Sequence, residues 1–170
     1  IQPDMLNADI TQTTDSPSWG GLYLQYFEKF DQVQQQKGIL SVTKKLFIEK
    51  IGSDGKQELL PLGKEKLQTG DKVITRLTLS LKQDMDFLYL KDFRAACFEP
   101  IGQLSGNQWK FGTVYYEESK DAVTNFFFNS LAKGTYVLEY PVWVNQAGTY
   151  QDGIATFQSM YAPEYTAYSD

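Results

Sequence analysis

Few residues in this sequence have the types and spacing that chemistry requires. It contains no histidine, which removes the Ser-His-Asp and Cys-His relays, the imidazole metal ligand and the neutral-pH imidazole base. The single cysteine, Cys97, lies in the string Arg94-Ala95-Ala96-Cys97-Phe98-Glu99-Pro100. A nucleophilic thiol needs a neighbouring base or a depressed pKa, so Cys97 is expected to be buried and inert. Glu117 and Glu118 are adjacent, and adjacent residues of a strand point to opposite faces, a poor arrangement for an acid/base pair. Asp84 and Asp86 share a parity at a turn and could touch a calcium ion. That ion takes six to eight oxygens, and the usual Asp-rich loop is absent, so a solvated hairpin turn is the expectation. Gly20-Gly21 precedes an expected strand rather than a helix and makes no phosphate loop. No catalytic residue, metal site or cofactor is therefore assigned. Trp19, Trp109 and Trp143, among 11 tyrosines, could line a sugar-binding face, which gives an alternative reading as a carbohydrate-binding β-sandwich module.

The elements that would position these residues are bounded by length and charge. A chain of 170 residues suits one domain, or one domain with a small appendage. At that length about 70% of the unfolded surface can be buried, so neither a disulfide nor a metal is needed to hold a core. The net charge of −5 leaves no footprint for nucleic acid, whose phosphates demand clustered Lys and Arg. The short basic pairs Lys44-Lys45 and Lys64 with Lys66 read as solvated strand edges. One cysteine cannot form an internal disulfide, so it does not fix the redox compartment. No apolar run approaches the roughly 20 residues that span a bilayer. The chain starts Ile1-Gln2-Pro3 and is expected to be a piece of something longer.

The local patterns are those of strands. Val73, Leu77, Leu79 and Leu81 share one parity, while Lys72, Arg76, Thr78, Ser80 and Lys82 share the other with Ile74 as its one strongly apolar member. Such alternation means one buried and one wet face. Ile39–Lys50, Phe87–Phe93, Phe111–Tyr116, Val123–Asn129, Thr135–Val144 and Thr149–Phe157 are further expected strands. Turn signals lie at Gly52-Ser53-Asp54-Gly55, Thr69-Gly70-Asp71, Lys133-Gly134 and Gln146-Ala147-Gly148. Pro141 cannot donate to a ladder, so its strand is expected at an edge or bulged. Between Leu6 and Phe30 two apolar stretches flank a polar turn, and the rings on both parities over Trp19–Phe27 suit a strand covered on both faces or one that meets a neighbouring module. Asp31–Gly38 reads as a polar connector, a short linker or one helical turn. No stretch keeps a helical period over three turns. The expected fold is all-β, an antiparallel sandwich.

Five strings, in order along the chain, carry a family resemblance. They are Trp19-Gly20-Gly21-Leu22-Tyr23 with Gln25-Tyr26-Phe27-Glu28; Leu67-Gln68-Thr69-Gly70-Asp71-Lys72-Val73; Asp84-Met85-Asp86-Phe87 with Leu90-Lys91-Asp92-Phe93-Arg94-Ala95 and Phe98-Glu99-Pro100; Asp121 with Thr124-Asn125-Phe126-Phe127-Phe128 and Leu131-Ala132-Lys133-Gly134-Thr135-Tyr136; and Gly148-Thr149-Tyr150 with Met160-Tyr161-Ala162-Pro163-Glu164. Together they resemble the last macroglobulin-like domain of the bacterial alpha-2-macroglobulins, especially the Bacteroidetes-type members. The resemblance implies a macroglobulin/immunoglobulin-like β-sandwich over 39–170. Residues 1–38 resemble the stretch that joins this domain to a preceding thioester domain, as the tail of a CUB-like element.

The resemblance also implies a role. Its members are protease inhibitors of the bacterial envelope, periplasmic or associated with the outer membrane, and many carry an internal thioester that couples to the protease. The implied partners are the other domains of the parent chain, the thioester domain above all, and target proteases through the parent. In related proteins a Met-Tyr pair covers the thioester, and Met160 and Tyr161 match that pair in position and context. A thioester is an acyl donor that must stay dry until needed, and a ring beside a flexible thioether is a good apolar lid. The chain departs from the pattern at Cys97, where many relatives have Gly in an Ala-Gly-Phe-Glu-Pro string; this bears on the backbone of that turn. Position 100 is Pro, so Cys97 itself cannot form a thioester.

Overall fold

A computed structural model describes residues 10–21, 38–53, 55–63, 66–102, 104–110 and 112–169. Among them are eleven strands and no helix: β1 Leu40–Ile51, β2 Gln57–Pro61, β3 Lys72–Leu81, β4 Met85–Phe93, β5 Phe98–Pro100, β6 Gly106–Lys110, β7 Thr113–Ser119, β8 Val123–Leu131, β9 Gly134–Val144, β10 Ala155–Ser159 and β11 Thr166–Tyr168. They form a five-stranded sheet, ordered β2-β1-β3-β9-β5, and a six-stranded sheet, ordered β11-β10-β4-β8-β7-β6. Every pairing is antiparallel.

The alternation in β3 sets the core. Val73, Leu77, Leu79 and Leu81 are all buried, and Thr75 joins them on that face. The opposing sheet sends in Leu88 and Leu90 from β4, Phe126 and Phe128 from β8, and Phe157 from β10. Phe126, Phe128 and Phe157 have essentially no exposed surface, and each contributes about 1.5–3 kcal/mol by leaving water. Phe128 and Phe157 meet edge to face at 6.5 Å, the arrangement that the ring quadrupole favours.

Several expectations need correction. The strand expected from Phe111 is the second arm of a hairpin: β6 was not foreseen, Lys110 pairs with Thr113, and Gly112 between them takes φ +75°, a conformation suited to glycine. Short, wholly exposed β2 was also not foreseen, since an edge strand with no buried face shows no alternation. Pro141 makes no bulge, and it lies just past Val142–Val144, the part of β9 that β5 covers, so toward β5 it stands where the strand becomes an edge. Strand β9 lies between β3 and β5, and its register with β3 runs unbroken through Ile74 and Pro141. The Pro141 carbonyl accepts from Ile101 N–H on the β5 side, so the missing N–H faces that side too, one residue past the end of β5, and the ladder with β3 is untouched.

The strand expected over Thr149–Phe157 starts only at Ala155. Ahead of it, residues 145–154 form a loop held against the sandwich, with Gly153 so close to Phe93 that a Cβ there would lie 2.4 Å from the Phe93 Cβ. Cys97 is accommodated without a left-handed backbone: Phe98 N–H donates to Ala95 O at 2.9 Å, closing the turn, and among the described residues only Phe87 is a non-glycine with positive φ. Residues 10–21 are exposed and lie in no strand. The expected strand over the rest of Trp19–Phe30, the apolar stretch before Ile10 and most of the 31–38 connector fall outside the described residues.

Candidate functional site

Met160 and Tyr161 sit at the tip of the hairpin that joins β10 to β11. Alternation in β10 turns Ala155, Phe157 and Ser159 inward; the strand then stops, and Pro163, unable to donate a backbone hydrogen bond, sits in the turn. Three hydrogen bonds close the tip: Tyr165 N–H to Ala162 O at 2.9 Å, Ser159 N–H to Tyr165 O at 3.0 Å, and Thr166 Oγ1–H to Pro163 O at 2.6 Å. The tip leaves Met160 49% and Tyr161 78% exposed. A ring and a thioether thus stand side by side in solvent.

The neighbouring strand supplies a third member. Phe87, 48% exposed, meets Tyr161 edge to face, with centroids 5.3 Å apart and planes at 85°. Its carbonyl accepts the Met160 N–H at 2.9 Å. Sequence reasoning placed Phe87 at the start of a strand and in the Asp84-Met85-Asp86-Phe87 string, not at a contact; nothing in alternation separates an outward ring from a ring that meets a residue 74 positions away. Beside this ledge Asp84 Oδ1 accepts the Lys133 N–H at 2.7 Å, a bond between two turns that fits the hairpin reading of Asp84.

A second constellation lies between the sheets. The sequence reading put Lys44 on a solvated edge; its side chain is only 4% exposed. Lys44 shares the inward parity of Val42, and β2 pairs with β1 only from Phe47 onward, so this part of β1 is an edge whose face is nevertheless covered by β10 and β11. The Lys44 ammonium lies 3.0 Å from Asp92 Oδ1, which has no exposed surface, and 3.0 Å from Asp152 Oδ1. It also donates to Phe93 O at 2.6 Å and Gly153 O at 2.9 Å. Tyr140 O–H from the opposite sheet donates to Asp92 Oδ2. Burial pushes the Asp92 carboxyl up to about 6, more than Lys44 and the Tyr140 hydroxyl pull it down. An amine between two carboxylates has the composition of an acid/base site, but Asp92 meets no solvent, so no substrate reaches it. It clamps the two sheets and the 152–153 loop together.

The remaining candidates scatter. Cys97 is buried beside a cleft of about 560 Å³ lined by Leu46, Leu67, Phe98, Val144 and Asp152 among others; burial raises its thiol pKa, which keeps it protonated and unreactive. Arg94 turns away from it and donates to Thr124 Oγ1 and to the carbonyls of Lys120 and Asp121. Glu117 is buried while Glu118 bonds Asn125 on the outer face, so the two carboxylates do point apart. Trp109 and Trp143, 78% and 43% exposed, lie on different sheets and share no platform. Across the outer face of the six-stranded sheet, Tyr89 and Phe127 stack at 4.9 Å with Tyr116 tilted against Phe127 at 6.3 Å. The stack uses one face of Tyr89 and one of Phe127, while Tyr116 stays 43% exposed. Among the described residues no group of three His, Cys, Asp or Glu could hold a metal ion.

The order of strands, the closed tip and the ledge beside it form the setting for comparison with known proteins. The family described as the bacterial alpha-2-macroglobulin MG10 domain matches residues 40–164. This chain belongs to that family. Similar solved structures include a Salmonella alpha-2-macroglobulin carrying the Y1175G mutation, with a TM-score of 0.63 and 19% identity over 81% of this chain and 9% of that one. A native Escherichia coli alpha-2-macroglobulin spanning MG7 to the C-terminus gives a TM-score of 0.58 and 18% identity over 80% of this chain and 23% of that one. The native conformation of the E. coli protein seen by cryo-EM gives 0.61 and 16% identity over 81% of this chain and 9% of that one. At these identities the likeness is one of fold. No curated protein sequence matches. The MG10 domain described here thus spans a small part of the length of the macroglobulins it resembles.

Proposed function

We propose that this MG10 domain is a non-catalytic interaction module of an exported, envelope-located alpha-2-macroglobulin-like protease inhibitor, and that it packs through its β10–β11 tip on the thioester domain of its parent. The observation that carries the reading is the exposure of Met160 and Tyr161 together on a tip closed by three hydrogen bonds. An apolar pair on a rigid support can exclude water from a partner's acyl donor without reorganising. The scattered carboxylates, the protonated buried thiol and the sealed Lys44–Asp92 pair support the absence of catalysis. The matching region, 40–164, is consistent with a macroglobulin unit over 39–170 and a separate joining segment over 1–38. A solved relative, the Salmonella protein, was reacted with methylamine, and that reagent supplies the test.

The full-length parent is incubated with labelled methylamine before and after limited proteolysis. A shielded thioester gives labelling that strengthens after cleavage, and Met160→Ala or Tyr161→Ala then labels before cleavage. Labelling in neither state rejects shielding and leaves the domain as a packing module.

A further inference from the structure

Phe87 holds a backbone conformation that the strand around it does not call for. Its φ of +52° lies in the left-handed region, and among the described residues it is the one non-glycine there. A bulky side chain rarely adopts that conformation. Neither of the usual compensations is present. The ring is half-exposed, so burial does not offset the strain. The ladder does not hold it either: Asp86 pairs with Ser130 and Leu88 with Phe128, while Phe87 has no partner on β8. Strain of this kind persists where surrounding contacts over-determine it, and it clusters at ligand clamps and contact sites. Two contacts do so here, the edge-to-face meeting with Tyr161 and the hydrogen bond from Met160 N–H to the Phe87 carbonyl. Both go to the pair that forms the exposed ledge.

We infer that Phe87 is a positioning residue for the thioester-shielding contact: its ring holds the Tyr161 side chain in one orientation and its carbonyl fixes the backbone of Met160. The inference rests on the shielding role proposed above. Tyr161 is 78% exposed and, without the Phe87 ring, has little to choose one rotamer over another. An edge-to-face contact of this type biases the docked orientation about 2- to 10-fold. A ring held in place before the domains meet loses less freedom on docking, so the closed arrangement is more populated.

The test separates protection from stability. In Phe87→Gly the ring is lost but the strained backbone is relieved, and Phe87→Asn does the same with a residue that tolerates the left-handed region. Both are expected to leave the melting temperature of this chain equal to or above that of the unsubstituted chain. In ¹³C-tyrosine-labelled chain, the Tyr161 ring signals should move to the averaged shifts of a free tyrosine. In the uncleaved full-length parent, methylamine labelling should rise about 2- to 10-fold, and Phe87→Tyr, which keeps a ring, should restore slow labelling. Unchanged Tyr161 signals, or slow labelling in Phe87→Gly while Tyr161→Ala labels early, overturns the inference and leaves the shielding reading standing. Slow labelling in Tyr161→Ala and Met160→Ala as well removes the shielding reading itself.

Discussion

At the residue scale, Lys44 and Asp92 form an ion pair that is held out of water, with side chains 4% and 0% exposed. Two ions that leave water together are stable only while both are present, and removing one strands the other. Lys44→Met should therefore destabilise the domain by about 3–5 kcal/mol, measured by urea unfolding at neutral pH. Proton linkage gives a second expectation. Asp92 titrates at about 6 when folded against 3.8 as an ordinary carboxyl, so between those values the folded state binds more protons than the unfolded one. Stability is then highest below pH 4 as far as this group is concerned, and it falls by about 3 kcal/mol as the pH rises to 6. Buried Glu117, also raised chiefly by burial, adds a slope of the same sign. Urea midpoints measured from pH 4 to 7 should show the fall, and Asp92→Asn should flatten it. A slope unchanged by Asp92→Asn would mean that Asp92 is not the group titrating.

The elements are set by which faces other elements cover. Gly153 illustrates this in the loop before β10. It carries no unusual φ, yet a Cβ would meet Phe93 Cβ at 2.4 Å and Phe93 O at 2.7 Å. Since the Phe93 backbone lies in the sheet, it cannot give way cheaply, and Gly153→Ala should cost about 1–3 kcal/mol as an overpacked contact. Unfolding of this variant beside Gly134→Ala, where the nearest atom to a Cβ is 3.8 Å away, checks the reason: similar losses in both would point to something other than the clash. Strand β9 makes the complementary point. Its Pro141 reads as an edge signal in one dimension, but the true variable is the side to which the missing N–H points. Here it points to the β5 side, one residue past the end of that three-residue strand, so the ladder with β3 keeps all its bonds.

At the scale of the whole molecule, the chain is a sandwich whose two sheets are joined by an aromatic core and one buried ionic clamp, with an apolar ledge at one end. Such a ledge offers a partner an exposed apolar surface. The isolated domain should leave trypsin and elastase activity unchanged and hydrolyse no peptide substrate itself, as read in a chromogenic assay with the domain in excess. Inhibition by the domain alone would refute the view that inhibition belongs to the parent.

What the sequence determined by itself was whatever depends on near neighbours along the chain. Alternation in Val73 to Leu81 fixed a buried face, because side chains two apart on a strand share a side. The absence of histidine excluded imidazole chemistry with no structure required. The five strings from Trp19 to Glu164 identified the family, which the match over 40–164 then established, and they singled out Met160 and Tyr161. The tertiary structure decided what depends on distant partners. Lys44 looked like one of a solvated pair because its four acidic and carbonyl neighbours, Asp92, Phe93, Asp152 and Gly153, stand 48 or more positions away. Phe87 looked like any outward strand residue because its meaning comes from Tyr161. The limits of β6 and β10 could not be read from hydrophobic pattern, since exposed hairpins and wedged loops take their shape from backbone packing and hydrogen bonds, which leave almost no periodic trace in the sequence.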